Sequence, residues 1–341
     1  MDLVTGATGH IGNVLVRELL RRGRGVRVLL RSDSLPPALQ GLQVEITRGD
    51  VLDPASLAAA MQGVEVVYHL AARISLLPGP DPQTERVNVD GTRNVLAAVR
   101  QAGVRRLVYA SSIYSLQEPS PGTPLDESCP FETSECQGVY DASKAKASLE
   151  VLQAVRAGLD AVLVLPTAVT GPYDFHDSEA GLGLRLYMRP GLKFYVDGAY
   201  DFVDVRDVAA GFISAADNGR RGETYILGGE RLTVRQVIET VWATTHSRHI
   251  KIKVPFWLAY GVAGLMPLYL RLTRAKPFFT RYSLDAIRSN SLVSHARAER
   301  ELGFTPRPAR RAITDSVRWF LAQKRGQAWL ETPEPAGRLA E

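Results

Sequence analysis

Three side chains carry the chemistry this sequence could do: Ser112, Tyr140 and Lys144. Tyr140-Asp141-Ala142-Ser143-Lys144 sets a phenol and an amine four residues apart, on one face of a helix. A phenol with a pKa of about 10 is a poor acid or base at neutral pH. A cation one helical turn away favours phenolate. Tyr140 could then give or take a proton on a substrate oxygen, with Ser112 hydrogen-bonding that oxygen. Leu107-Val108-Tyr109-Ala110-Ser111-Ser112 is a strand-like run ending in two hydroxyls. Successive strand side chains face opposite ways, so only one serine can reach the site; Ser111 is the rival of Ser112.

Alone, Tyr-x-x-x-Lys is a common accident. Thr5-Gly6-Ala7-Thr8-Gly9-His10-Ile11-Gly12 gives it meaning. Gly6, Gly9 and Gly12 suit a tight strand-to-helix turn, close approach of a pyrophosphate and close helix packing. The phosphates would rest on the helix N-terminus, so Thr8, His10 and Ile11 join the glycines as cofactor candidates. Arg31 stands nineteen residues after Gly12, where an acid would select NAD and an arginine favours a 2′-phosphate. NADP(H) is therefore the expected cofactor, with NAD(H) second. Asp50-Val51 follows the third strand; Asp50 suits an adenine amine or a turn cap equally. Leu70, Ala71 and Ala72 give a backbone slim enough to run under a cofactor.

These residues need a frame. Short apolar runs at 2–5, 26–30, 44–47, 64–70, 106–110 and 161–165 alternate with helical patterns at 11–22, 54–61, 84–101 and 139–156. That rhythm predicts an α/β fold, a Rossmann-type doubly wound parallel sheet covered on both faces. After Pro166 the rhythm breaks into a loop-rich stretch to about Tyr200. The expected organisation is a dinucleotide-binding domain over 1–170, rejoined by 201–228. A smaller mixed substrate-binding region takes 171–200 and 229–326, and 327–341 forms a loose tail.

The chain has 341 residues and a net charge of +5, with no Lys/Arg block of nucleic-acid type. A small-molecule partner fits better than nucleic acid. Cys129 and Cys136 match no zinc or redox spacing, and a reducing cytoplasm is expected. The six histidines, His246 and His249 among them, lack metal spacing, so no metal is expected. The chain reads straight into the glycine turn, so no leader is expected. Residues 254–270 carry no charge and read first as a core or pocket-lining helix. A membrane-surface patch with basic flanks is the second reading.

Together these motifs resemble the extended short-chain dehydrogenase/reductase superfamily over nearly the whole chain. Asn88-Val89-Asp90-Gly91-Thr92, Asp204-Val205-Arg206-Asp207 and Gly303-Phe304-Thr305-Pro306 fit the same pattern. The resemblance implies that Asn88 helps set the site, that Thr92 packs under the cofactor and that Lys144 anchors the nicotinamide ribose. It also implies a homodimer through helices 84–101 and 139–156. Nucleotide-sugar epimerases usually carry Arg and Asn where this chain has Leu165 and Ala168. Pro166-Thr167, with Arg31 and Ser111-Ser112, looks more like the dihydroflavonol reductases, the 3β-hydroxysteroid dehydrogenases and the hopanoid-associated sugar epimerases. By that analogy Pro166 and Thr167 lie at the nicotinamide. The reading is a carbonyl reductase or alcohol dehydrogenase for an apolar cyclic or long substrate, roofed by 254–270 and 182–188. An epimerase or dehydratase with a tightly held cofactor is the alternative, and a non-catalytic NADP sensor is the third.

Overall fold

The computed structural model describes residues 1–327 and 329, apart from 33, 76–78, 80, 121, 135–137, 248, 249, 274–280 and 290; over 265–273 it describes the backbone alone. Cys136, His249 and the expected tail beyond 329 lie outside the described residues.

The first half runs β1 (Asp2–Thr5), α1 (His10–Arg21), β2 (Val26–Leu30), β3 (Glu45–Arg48), α2 (Pro54–Ala60) and β4 (Val66–His69). It continues through α3 (Pro82–Glu85), a π turn (Arg86–Asp90), α4 (Gly91–Ala102), β5 (Arg106–Ala110), α5 (Val139–Arg156) and β6 (Ala161–Pro166). The second half adds β7 (Ala168–Thr170), α6 (Glu179–Met188), β8 (Lys193–Tyr195), β9 (Ala199–Asp204), α7 (Val205–Asn218), β10 (Thr224–Leu227) and β11 (Glu230–Thr233). It closes with α8 (Val234–Thr245), β12 (Lys251–Lys253), α9 (Phe256–Thr273), α10 (Arg281–Arg288), α11 (Ala296–Leu302) and α12 (Ala309–Lys324).

Seven parallel strands form the main sheet, in the order β10-β6-β5-β4-β1-β2-β3. The chain winds outward from β1 toward β3, then returns to β4 and winds the other way. The switch point lies between β1 and β4, where open α/β sheets bind ligands beyond the carboxyl ends of their strands. Strand side chains alternate between two cores. Val4, Val108, Val162 and Val164 pack under α1 and α7, whereas Leu3, Leu107, Leu163 and Leu165 pack under α2, α4 and α5. Each such side chain contributes roughly 1.5–3 kcal/mol, so the alternation fixes the register firmly.

A three-stranded sheet, β11-β9-β7, and a pair, β12-β8, lie beyond the main sheet. Leu184 of α6, Val237 and Val241 of α8, and Val317, Trp319 and Phe320 of α12 make a further core there.

Four expectations need correcting. The loop-rich stretch after Gly171 contains a ten-residue helix, α6, whose Ser178 cap accepts from the Gly181 amide. Gly181 and Gly183 hid it by lowering helix propensity. Its apolar side packs into the distal core rather than forming an open roof. The long helix over 84–101 widens into a π turn at Arg86–Asp90. The run 254–270 is not a buried core helix at its start. Ala259 and Ala263 are buried, but Trp257 is 74% and Val262 50% exposed, because no described element packs on that outer side.

Candidate active site

The site grows from the strand ends. After β1 the chain turns at Gly6, whose φ is +73°. A side chain on Gly6 would strike the Leu70–Ala71 peptide at 2.6–2.8 Å, and one on Gly12 would meet the Gly6 carbonyl oxygen at 2.2 Å. The turn thus holds β1, β4 and α1 as close as backbones allow. Gly9 caps α1 without a side chain, and the first turn of the helix carries no acid. The opening amides of α1 therefore have no internal anion, which fits a pyrophosphate. Thr8, His10 and Ile11 are half-buried around them.

Neighbouring groups brace this turn. Asn13 donates to the carbonyls of Gly9, His10 and Tyr173 at 2.9–3.1 Å, and His10 Nε2 lies 2.9 Å from the Pro172 carbonyl. Arg31 stands exposed just past β2. Asp50 Oδ1 accepts the Leu52 amide at 2.9 Å, so one carboxylate oxygen closes a turn. Val51 is buried beneath. Leu70 and Ala71 are half-buried and Ala72 is exposed, as a strand end beside a ligand would be.

At the end of β5 the two serines part ways. Ser111 Oγ points inward, 2.7 Å from Ser148 Oγ and 3.1 Å from Ser115 Oγ. Ser112 instead lies where its hydroxyl acts on the Tyr140 phenol, and its Oγ accepts the Tyr114 amide at 3.3 Å. Lys144, one turn along α5, donates its ammonium to the Ala110 carbonyl. It also stands 4.5 Å over the Tyr109 ring. Ser112, Tyr140 and Lys144 thus gather at one strand end.

The electrostatics differ from expectation. Burial and then the Asp141 carboxylate push the Tyr140 phenol up, with Ser112 the opposing influence among the protein's groups. Lys144 is not among the groups that move the phenol, and burial lowers its own pKa to about 7. An ammonium stripped of water favours its neutral form.

Asn88 holds the floor. Its amide group donates to the Arg73 carbonyl at 3.0 Å and to Ser143 Oγ at 2.9 Å, while its oxygen accepts the Arg73 amide at 2.8 Å. Ser143 in turn donates to the Tyr140 carbonyl at 2.7 Å. The π turn sets Asn88 at this junction of the β4 end and α5. Thr92 Oγ1 donates to the Asn88 carbonyl at 2.6 Å. Buried His69 spans Thr5 Oγ1 at 2.7 Å and Thr92 Oγ1 at 3.1 Å. Burial, reinforced by Lys144, lowers the His69 pKa to about 3, so it is a neutral strut. Pro166 and Thr167 close the far side at the end of β6, both buried, with Thr167 beside Asp201.

Sequence reasoning passed over Asp141, Tyr282 and Tyr114. Asp141 is buried directly after Tyr140 and accepts the Tyr282 hydroxyl at 3.0 Å. The Tyr114 and Tyr282 rings lie 6.4 Å apart. Asp141 carried one available signal, an acid inside the Tyr-x-x-x-Lys segment. The Asp204-Val205-Arg206-Asp207 motif is structural instead. Arg206 bridges Asp204 and Asp315 at 2.6 Å each, clamping α7 to α12.

A family model described as "NAD dependent epimerase/dehydratase family" matches residues 3–228, about two thirds of the chain. The chain belongs to that family. Within this epimerase/dehydratase family it is 39% identical to the "Sterol demethylase protein B" of Methylococcus capsulatus, over 93% of this chain and 97% of that one. It is 30% identical to a "4-hydroxy-2-methyl-3-oxo-4-farnesyl-3,4-dihydroquinoline-1-oxide ketoreductase" of Stigmatella aurantiaca, over 92% and 95% of the two chains. The crystal structure of gox2253 matches with a TM-score of 0.82 at 36% identity, covering 95% of this chain and 99% of that chain. This family member is an NAD(P)-dependent oxidoreductase of the extended short-chain type. Among the described residues, no helix is long and apolar enough to cross a membrane.

Proposed function

We propose that this chain is an NADP-dependent carbonyl reductase, or the reverse alcohol dehydrogenase, for an apolar cyclic or long substrate. One observation carries the reading: the Tyr140 phenol and Ser112 come together at the end of β5, with Lys144 held one turn away on the Ala110 carbonyl. Tyr140 donates its proton to the substrate oxygen, and Ser112 holds that oxygen beside the phenol. Lys144 anchors the nicotinamide ribose. Gly6, Thr8, Gly9, His10, Ile11 and Gly12 receive the pyrophosphate, and Asp50 and Val51 flank the adenine. Leu70, Ala71, Ala72, Asn88, Pro166 and Thr167 border the nicotinamide half. The bound nicotinamide supplies or accepts the hydride.

A protonated phenol is the form that carbonyl reduction needs, and both burial and Asp141 favour it. Relatives named for a sterol and for a farnesylated dihydroquinoline support an apolar substrate. Leu165 and Ala168, standing where nucleotide-sugar enzymes usually carry Arg and Asn, point the same way. Exposed Arg31 supports NADP(H) over NAD(H). We further assign the working form to a cytoplasmic homodimer pairing through α4 and α5, where Leu149 is exposed. Residues 1–170 with 201–228 serve the dinucleotide, and 171–200 with 229–326 serve the substrate.

The test is NADPH oxidation, followed by absorbance, across cyclic ketones, sterols, flavonoids and aldehydes. Decay that a Tyr140→Phe variant lacks supports the reading. NADPH binding without turnover of any ketone, together with an oxidised cofactor that copurifies, would replace it with the epimerase reading.

A further inference from the structure

The outer side of α9 is built against the usual pattern of a surface helix. Such a helix turns its apolar stripe inward and its charges outward. Here small residues face inward, with Ala259 and Ala263 buried beside Leu284 and Val196. Trp257, Leu258 and Val262 face outward, 74%, 43% and 50% exposed. The neighbouring strand pair repeats the arrangement. Phe194 and Ile252 sit opposite each other in the parallel register of β8 and β12, 60% and 40% exposed, and Ile250 is 70% exposed. Val254 and Pro255 join this pair directly to α9.

Charge selects the occupant. From Val254 to Leu284 the sequence holds Arg271, Arg274, Lys276 and Arg281, and no Asp or Glu. The acids nearest the patch are already engaged. Asp197 pairs with Lys253, Glu239 with Lys251, and Asp285 accepts the Tyr260 hydroxyl at 2.5 Å. An anionic lipid surface suits both features, because exposed apolar side chains enter the acyl boundary and a segment basic in sequence is drawn to anionic headgroups. Tryptophan at the first turn of the helix suits that boundary.

We propose that the α9 face, with the β8–β12 edge beside it, docks the enzyme on the surface of an anionic bilayer. The helix lies on the membrane and does not cross it. The docked face adjoins the reaction chamber: α10, which packs against α9, carries the Tyr282 that bonds Asp141 on the helix of Tyr140. An apolar substrate dissolved in the bilayer then reaches the chamber without passing through bulk water. That last step rests on the reductase reading; the docking itself does not.

The experiment is cosedimentation of the full chain with vesicles of phosphatidylcholine alone and of phosphatidylcholine with phosphatidylglycerol. The proteins are wild type, a Trp257→Glu/Val262→Glu double variant, Phe194→Glu, and Ile46→Glu as an exposed apolar control on β3. NADPH binding and thermal melting confirm that each is folded, and no turnover is needed. Wild type should partition onto anionic vesicles, weaken in high salt and bind neutral vesicles poorly. The double variant should lose on the order of tenfold in partitioning, Phe194→Glu should lose part of it, and Ile46→Glu should match wild type. Three results would overturn the proposal. Wild type binds neither vesicle; the double variant binds as well as wild type; or light scattering shows a vesicle-indifferent oligomer that the double variant dissolves, which would make a second copy the occupant.

Discussion

The Tyr282 hydroxyl donates to Oδ1 of Asp141 at 3.0 Å, tying α10 to the residue that follows Tyr140. Burial raises the Asp141 pKa to about 7, and Tyr282's hydrogen bond opposes the rise only in part. The folded chain therefore holds this proton up to about pH 7, whereas the unfolded chain releases it near pH 4. Between those values the native state binds more protons, so Asp141 makes stability fall as pH rises through that window and level off above it. Asp141→Asn keeps an acceptor for Tyr282 and removes the titration. Melting curves should show wild type and variant alike near pH 4 and the variant more stable at pH 8, by at most about 4 kcal/mol. The variant should also shift the alkaline limb of reduction to lower pH, because the Asp141 charge no longer holds the Tyr140 phenol up. Equal pH slopes for the two proteins would refute the assignment.

Lys144 gives the opposite sign. Burial lowers its pKa to about 7, so the folded chain sheds a proton that the unfolded chain keeps up to about pH 10. The cost of burying the ammonium is full below pH 7 and fades as pH rises toward 10. Lys144→Met should melt higher than wild type at pH 6, by roughly 1–3 kcal/mol after loss of the Ala110 bond. The margin should shrink by pH 9, and turnover should be almost absent throughout. A variant less stable than wild type at pH 6 would contradict this.

The two serines should separate stability from activity. Ser112→Ala removes the partner of Tyr140 and should lower kcat by roughly 10- to 1,000-fold with the melting temperature little changed. Ser111→Ala leaves Ser148 and Ser115 short of a buried partner, and should cost about 1–2 kcal/mol of stability with kcat kept. Steady-state kinetics beside melting curves read both; a reversed pattern would make Ser111 the substrate contact.

Arg31→Ala should weaken NADPH binding by about tenfold or more and leave NADH binding nearly unchanged. Titration of cofactor fluorescence gives both constants. An unchanged ratio would assign the 2′-phosphate to another group or none.

The parts of the site that were legible in sequence are the local ones. The glycine turn declares itself because Gly6 and Gly12 must occur at fixed spacing for β1, β4 and α1 to meet without a Cβ between them. Tyr140 and Lys144 share a face through helical period alone. What the sequence hid depends on distance along the chain. Nothing near residue 141 announces Tyr282, and nothing near Asn88 announces a π turn or its distant partners Arg73 and Ser143. Helix α6 was hidden for a different reason, since two glycines argued against a helix that packing imposes. Spacing also reveals that Tyr140 and Lys144 are close but not how dry they are, and it is burial that raises the phenol. The exposed start of α9 was misjudged likewise: an uncharged run says that water is unwelcome, not whether protein or lipid replaces it.

The central claim is hydride transfer to a carbonyl with Tyr140 as proton donor. Its most direct test is a single turnover with NADPH deuterated at the transferring C4 position, a sterol or cyclic ketone that supports turnover, and mass spectrometry of the product. Wild type should place one deuterium on the carbinol carbon, and Tyr140→Phe should bind NADPH as tightly yet form product on the order of 100- to 10,000-fold more slowly. Product without deuterium, or a Tyr140→Phe variant that keeps the wild-type rate, would contradict the account.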